Sequence, residues 1–312
     1  MPTSLVTGGA GFIGSHLCEK LLAEGHKVIC MDSLITGKTK NINHLHNDNN
    51  FTYIKHDVSK PLELREDIDY MFHFASPASP IDYQEEPVKT ILSNSYGTFN
   101  LLTLAKQKGS KLLLASTSEV YGDPLVHPQP ETYWGNVNPT GVRSCYDESK
   151  RVAEAMVMAF VRRYGTDARI IRIFNTYGER MRFDDGRVIP NFITQCIKNE
   201  PITIYGDGKQ TRSICYVGDL VEGISKVMFS GKKGEVFNLG NPAEYTMIKL
   251  AEEIKRLTGS SSEFVFKPLP ADDPMQRRPD ITKIKRELGW EPKVTPEEGL
   301  KRTIDWFRKT MQ

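Results

Sequence analysis

Leu5-Val6-Thr7-Gly8-Gly9-Ala10-Gly11-Phe12-Ile13-Gly14 decides how the rest of the chain is read. An apolar run that ends in Gly8-x-x-Gly11-x-x-Gly14 and passes into an amphipathic stretch describes a strand turning sharply into a helix. The first glycine permits the tight bend, the second lets backbone approach a pyrophosphate, and the third lets the helix pack close to its sheet. The helix N-terminus adds partial positive charge. A glycine triplet alone is a weak signal, because strand-to-helix turns need glycine without any ligand. Here Asp32 answers it at the end of the next expected strand, about 20 residues on, and that context points to a dinucleotide site.

Asp32 can accept hydrogen bonds from both ribose hydroxyls of adenosine and would repel a 2′-phosphate, so the expected cofactor is NAD rather than NADP. A turn-starting role is its plainer alternative. Asp57, in His56-Asp57-Val58 at the end of the third expected strand, is a candidate adenine contact, with loop capping as the competing role. Gly8, Gly11, Phe12, Ile13, Gly14, Asp32, Asp57, Val58 and Ala75 form the expected cofactor-binding set, together with Tyr146 and Lys150.

Outward from this turn, short aliphatic runs alternate with longer amphipathic stretches, as in a parallel sheet covered by helices on both faces. The predicted strands are Ser4–Thr7, Val28–Asp32, Thr52–Asp57, Tyr70–Ala75, Lys111–Ser116 and Arg169–Phe174, with helices around Phe12–Glu24, Val88–Lys108 and Tyr146–Tyr164. After Gly178 the pattern changes. Short extended pieces (Ile202–Tyr205, Val236–Leu239, Phe264–Lys267) mix with helices near Asp219–Phe229 and Met247–Leu257, and Pro296–Arg308 reads as a terminal helix. The fold class expected is α/β: a Rossmann-like doubly wound parallel sheet over residues 1–178, with a smaller C-terminal α/β substrate-binding lobe drawn mainly from 179–312. The chain is free to cross between the two, and the cleft between them is the expected ligand site.

The 312 residues carry a net charge of only +2, with basic residues scattered among acidic ones, so neither nucleic acid nor an anionic membrane is an expected partner. Five widely spaced cysteines read as reduced thiols, and the seven histidines show no metal-ligand spacing. No apolar run approaches the roughly 20 residues of a membrane span, and no signal peptide is evident. A cytoplasmic protein without a metal is the expectation.

Roughly 130 residues beyond the glycine turn, Tyr146-Asp147-Glu148-Ser149-Lys150 sets a phenol and an ammonium at i and i+4, on one helix face. A phenol with a pKa near 10 is a poor base at neutral pH, but an adjacent ammonium and the positive ring of an oxidised nicotinamide both favour the phenolate. Ala115-Ser116-Thr117-Ser118-Glu119 precedes this pair at the end of the fifth expected strand, where open α/β sheets place their chemistry.

Together these residues resemble the extended short-chain dehydrogenase/reductase superfamily, whose members act largely on nucleotide sugars through Tyr, Lys and a nearby Ser or Thr, here Thr117. The resemblance implies transient oxidation of a sugar hydroxyl by NAD, a second step, and hydride return. Sugar 4,6-dehydratases carry Thr-Asp-Glu where this chain has Thr117-Ser118-Glu119. The missing acid argues against dehydration, and the retained Glu119 against a simple 4-epimerase. Phe74–Pro80, Ser116–Pro124, His127–Gln129, Tyr133–Gly135, Cys145–Glu148, Arg172–Gly178, Asp185–Val188 and Asp272–Pro274 resemble, in order, the UDP-glucuronate decarboxylase (UDP-xylose synthase) family.

That resemblance implies oxidation at C4 of UDP-glucuronate, loss of CO₂ from the resulting β-keto acid, protonation at C5 and hydride return. It implies Tyr146, Lys150, Thr117, Ser118, Glu119 and Arg277 as catalytic residues. Arg277 would lie near the sugar carboxylate. Glu119 would position a water or act in proton transfer, with a plain salt bridge as its alternative. Lys89, Asn94, Asn175, Arg187, Tyr205, Arg212 and Arg277 would bind the UDP-sugar, although Lys89 also reads as a solvated helix residue and Tyr205 as packing. Departures from the family are Ser33, Thr140, Ser149 and Glu179. A homodimer through two helices per subunit is implied too. Ile91, Leu92, Phe99, Leu102, Val152, Met156 and Phe160 could supply that surface or belong to the core. Competing functions are a UDP-glucuronate 4-epimerase, a decarboxylase that releases the 4-keto pentose, and a cofactor-binding sensor without turnover.

Overall fold

A computed structural model of the chain describes residues 1–269 and 276–311. The Asp272–Pro274 segment therefore lies outside the described residues. Strands β1 (Thr3–Thr7), β2 (Lys27–Asp32), β3 (Phe51–Lys55), β4 (Tyr70–His73), β5 (Lys111–Thr117) and β6 (Ala168–Ile173) appear where alternation predicts them, each within two residues at its ends. They join a seven-stranded sheet with the order β11-β6-β5-β4-β1-β2-β3, all neighbours parallel.

The outer strand at the β6 edge, β11 (Val236–Leu239), is the main departure from expectation. The sequence places it in the smaller lobe, whereas Val236–Leu239 pairs in parallel register with Ile170–Ile173 and completes the seven-stranded sheet. Ahead of it come β7 (Thr176–Tyr177), β8 (Ile202–Tyr205), β9 (Thr211–Ser213) and β10 (Cys215–Tyr216). After it come β12 (Glu244–Thr246), β13 (Phe264–Lys267) and β14 (Gln276–Arg277). These shorter strands build the smaller lobe: β7 with β10, β8 with β13, and β12-β9-β14.

Helices α1 (Phe12–Ala23), α2 (Pro80–Glu85), α3 (Pro87–Lys108), α4 (Ser144–Tyr164), α5 (Val188–Lys198), α6 (Val217–Ser230), α7 (Met247–Thr258), α8 (Thr282–Leu288) and α9 (Pro296–Thr310) complete the order. Leu17, Leu21, Leu220 and Ile224 of α1 and α6 belong to one buried cluster, and Leu101, Leu102, Ala153 and Val157 of α3 and α4 to another. The sheet thus has a helical layer on each face, which is why Leu112, Leu113 and Leu114 are all fully buried and the strand reads as unbroken apolar sequence.

Helix α4 is well specified locally. Asp147 lies in its first turn, Arg162 and Arg163 in its last, and Gly165 closes it in the left-handed region at φ 69°. Phe12, Asp32, Ala75, Thr117 and Asn175 all come from, or just follow, the C-terminal ends of parallel strands or their turns, so the fold gathers them at one edge.

Candidate active site

Backbone packing builds the cofactor end. Gly8 adopts φ +72°, and a Cβ there would lie 2.7 Å from the backbone of Phe74 and Ala75; at Gly14 a Cβ would lie 2.1 Å from the Gly8 carbonyl oxygen. The turn after β1 is therefore pressed against the end of β4, its neighbour in the sheet, at the point where the strand order reverses. The cavity above this turn is lined by Gly8, Gly11, Phe12, Ile13, Gly14, Asp32, Asp57, Val58 and Ala75. A dinucleotide fits such a place, because any side chain at Gly8 or Gly14 would break the turn that cradles the phosphates.

Asp32 is buried, and each carboxylate oxygen accepts a backbone N–H: Oδ2 from Ala10 at 3.0 Å and Oδ1 from Leu34 at 2.8 Å. Burial pushes its pKa up, and the two N–H donors oppose that shift. Asp57 fulfils the loop-capping alternative, its Oδ1 accepting from Ser59 N at 2.9 Å and Ser59 Oγ at 2.8 Å, while it also lines the cavity. Arg187 reaches both this cavity and the next, and both of its bonds run to the Asp185 carboxylate. It stands at the junction of the two cavities, where the sequence assigned it to the substrate set alone. Arg180 and Arg182, which the sequence reading did not single out, line the cofactor cavity as well.

A second cavity of about 820 Å³ adjoins the first, sharing Ile13, Phe74, Ser76, Ala78 and Arg187 with it. Thr117, Ser118, Glu119, Tyr146, Lys150, Asn175, Tyr205, Arg212 and Arg277 all line it. Lys150 Nζ donates to the Ala115 carbonyl at 2.8 Å and lies 5.9 Å from the centroid of the Tyr146 ring. The electrostatics add what spacing alone does not show. Burial raises the Tyr146 phenol above its ordinary value, a Thr117 hydrogen bond opposing it, and burial lowers the Lys150 ammonium to about 7. In the protein without cofactor both groups are dry, and desolvation is the largest cause of each shift.

The far wall carries a compact charge network. Arg277, only 1% exposed, donates to Ser118 Oγ at 3.0 Å, the Gly122 carbonyl at 2.8 Å, and Glu119 Oε1 and Oε2 at 3.1 and 3.4 Å. Arg143 donates to Glu119 Oε2 at 2.5 Å. Burial alone would raise the Glu119 carboxyl, but Arg277, Arg143 and Arg212 together bring it down to about 2. Glu119 is thus held as a carboxylate, unsuited to donate a proton at neutral pH. Nearby Asp147 is pushed up to about 7, first by burial and then by Glu119, with Arg143 opposing. Strand register explains part of the gathering, since Arg277 on β14 pairs with Arg212 on β9.

Two expected substrate residues are not in this cavity. Lys89 is exposed on α3 and ion-paired with Glu86 at 2.7 Å, which is its solvated-helix alternative. Asn94 is buried between helices, its Nδ2 donating to Ser149 Oγ at 2.9 Å, and lines neither cavity. Conversely Tyr83 and Arg143 line the cavity without having been singled out. Arg143 stands three residues before Tyr146, a spacing that shares its helix face and was a readable signal. Tyr83 comes from the short α2, with nothing local to mark it. Among the described residues no cluster of metal-ligating side chains occurs, and no helix is long and apolar enough to cross a membrane.

The chain is similar to known proteins over nearly its whole length. The sequence model of the GDP-mannose 4,6 dehydratase family matches residues 5–303. The chain is 55% identical over 304 residues to UDP-glucuronic acid decarboxylase 1 of Arabidopsis thaliana, covering 97% of this chain and 69% of that protein. It is 52% identical over 308 residues to UDP-glucuronic acid decarboxylase 1 of Xenopus tropicalis, covering 99% and 72%. Among solved structures, UDP-glucose 4-epimerase of Thermotoga maritima with UDP-glucose aligns with a TM-score of 0.90 at 34% identity, covering 99% of this chain and all of that one. A dTDP-glucose 4,6-dehydratase of Streptomyces venezuelae with NAD bound aligns with a TM-score of 0.91 at 30% identity, covering 99% and 97%.

Proposed function

We propose, from the premise that this chain belongs to the UDP-glucuronic acid decarboxylases within the GDP-mannose 4,6 dehydratase family, that it converts UDP-glucuronate to UDP-xylose and CO₂ with NAD held in the glycine-turn cavity. One observation carries the reading. A proton-transfer phenol and a guanidinium–carboxylate cluster share a single cavity that opens onto the dinucleotide cavity.

The chemistry asks little of each group but much of their placement. When bound, NAD supplies a hydride acceptor at C4 of the sugar and a positive charge that favours the Tyr146 phenolate. Tyr146 takes the proton of the C4 hydroxyl, with Thr117 beside it as hydrogen-bond partner. The C4 ketone then stands β to the C6 carboxylate, so carbon dioxide leaves and the electron pair passes into an enolate. Arg277, with Ser118 and Glu119, orients the acid end. Because Glu119 already shares the Arg277 fork, the site holds a departing carboxylate without fixing it as a permanent salt bridge. A solvent proton at C5 would quench the enolate, and Tyr146 would give its proton back to the C4 oxygen as the reduced cofactor returned the hydride, completing UDP-xylose. Asn175, Tyr205 and Arg212 line the same cavity and would meet the nucleotide.

Mass analysis of the nucleotide sugar after incubation with UDP-glucuronate and NAD tests this. A product lighter by CO₂ is expected. Unchanged mass with altered mobility would mean epimerisation, and a loss of CO₂ plus two hydrogens would mean that the keto pentose escapes. Replacing Tyr146 with Phe is expected to lower turnover by about a thousandfold or more while NAD binding persists; full turnover in that variant would remove the phenol from the mechanism.

A homodimer is the assembly we propose, built on the outer face of α3 and α4. Val88, Ile91, Leu92, Tyr96, Phe99 and Val152 are exposed there, Phe99 at 49%. Apolar surface of this extent on two adjacent helices favours a helical partner surface. Leu102, counted among the candidates for it, is fully buried in the core. Light scattering in solution checks the assembly.

A further inference from the structure

We propose that Tyr83 is a positioning residue for the proton-transfer phenol, its ring lying flat against Tyr146 and fixing the direction in which that hydroxyl faces the sugar. The inference rests on the reading of Tyr146 given above and adds a residue to it.

The two rings are parallel to within 5°, with centroids 5.0 Å apart, and both are buried. Aromatic pairs commonly settle offset or edge-on, and a stacked pair contributes about 0.5–1.5 kcal/mol beyond its buried area. That is enough to bias a ring that would otherwise turn about χ1 and χ2. Tyr146 needs such a bias, because its helix fixes only its Cα and Cβ, while proton transfer requires the hydroxyl within hydrogen-bond reach of the substrate oxygen.

Tyr83 can supply the bias only if it is itself fixed, and it is. The six-residue α2 would be marginal as an isolated helix. It is capped by Ser79, whose Oγ accepts from Asp82 N at 3.3 Å and donates to Asp82 Oδ2 at 2.9 Å. Arg182, on the rim of the cofactor cavity, donates to Asp82 Oδ1 at 2.8 Å. On the opposite side, the Cys145 thiol donates to the Tyr83 carbonyl at 3.3 Å, tying α2 to the first turn of α4 right beside Tyr146. The stack is thus clamped from the cofactor side and from the catalytic helix.

The Tyr83 hydroxyl is buried without a hydrogen-bond partner, and burial holds it protonated, so Tyr83 contributes a neutral surface rather than a second charge. The charged and titratable groups around Tyr146 come from elsewhere: Lys150 and Asp147 on α4, Glu119 after β5, and Arg187 before α5. Removing the Tyr83 ring leaves these in place and admits water to the phenol. Hydration favours the phenolate, so the ionisation of Tyr146 shifts to lower pH.

The test is the pH dependence of bound NADH formation when NAD-loaded protein is mixed with UDP-glucuronate. Tyr83→Leu is expected to slow this step ten- to a hundredfold, as misplacement of a reacting group does, and to move its rising limb to lower pH with NAD affinity retained. Tyr83→Phe keeps the ring and is expected to recover most of the lost rate and the wild-type pH limb. Asp82→Asn, which loosens α2 without touching the stack, is expected to move the profile in the same direction by less. A leucine variant with the wild-type rate and profile would overturn the proposal. So would a phenylalanine variant as slow as the leucine one, because the hydroxyl rather than the ring would then matter. Release of CO₂ by the wild type checks the decarboxylase reading separately; if that fails, UDP-glucose serves as the hydride donor for the same measurement.

Discussion

At the cofactor end of the cleft the decisive contacts are between backbone atoms, and at the sugar end they are between the tips of long side chains. The turn from Gly8 to Gly14 works because there is no room for a Cβ, with the nearest approach 2.1 Å from a carbonyl oxygen. The Glu119 cluster works because Arg143 and Arg277, contributed by segments far apart in the chain, converge on one carboxylate. Shape fixed by backbone is rigid and general, suited to a cofactor that many chemistries share. Charge fixed by side chains is adjustable, and it is where one reaction is separated from another.

Arg277 gives the comparison its largest expected break. Arg277→Lys keeps the cation but replaces a planar fork by a point charge, so it cannot hold Glu119, Ser118 Oγ and the Gly122 carbonyl together. We expect kcat/KM for UDP-glucuronate to fall on the order of a hundred- to a thousandfold, with NAD affinity close to that of the wild type by titration. If NAD affinity fell in parallel, the two ends would not be separable. The same network gives acid sensitivity a direction. The folded Glu119 carboxyl sits near 2 rather than 4.5, so its contribution to stability is present above about pH 4.5 and is lost as pH falls toward 2.

Gly14→Ala is the reciprocal change, and its effect on turnover is expected to be smaller when cofactor is abundant. One methyl forced against the Gly8 carbonyl must move the turn, and with it the helix N-terminus that would face the diphosphate. A loss of NAD affinity of about a hundredfold is expected by titration, with kcat partly recovered at high NAD. A variant that bound NAD normally would mean that the turn tolerates displacement and that the glycine serves packing alone.

How much of this was legible in the sequence follows the same division. The glycine turn, Asp32 and the Tyr146–Lys150 spacing are local signals, each set by one strand end or one helix face, and the structure brings them together. Val236–Leu239 shows the limit. Three apolar residues in four announce a strand but not its sheet, and its place beside β6 depends on α6 crossing over one face. Tyr83 and Lys89 show the same limit for single residues, since exposure at Lys89 and stacking at Tyr83 arise from how α2 and α3 are laid against α4. The upward push that burial gives Tyr146 in the protein without cofactor was not legible for another reason. Sequence shows that a charge is adjacent and says nothing of how much water was removed from both groups.

Lys150 offers the smallest effect and connects the two ends, since it lines the sugar cavity while its neighbour waits on the cofactor's charge. An unfolded chain keeps this ammonium protonated up to its ordinary 10.5, whereas the folded protein releases the proton from about 7. The unfolded state therefore binds more protons in that window, and stability rises with pH across it. At and below neutral pH the fold carries the cost of a buried charge. Lys150→Met removes that cost and leaves the Ala115 carbonyl without its donor, which offsets part of the gain. For cofactor-free protein the net expectation is a stabilisation on the order of 2 kcal/mol near pH 6 that shrinks as pH approaches 10, read as a melting temperature a few degrees higher in a variant that has lost activity. A variant less stable than wild type at pH 6 would mean that the ammonium is well solvated or well paired there. The sugar end would then not owe its chemistry to dryness.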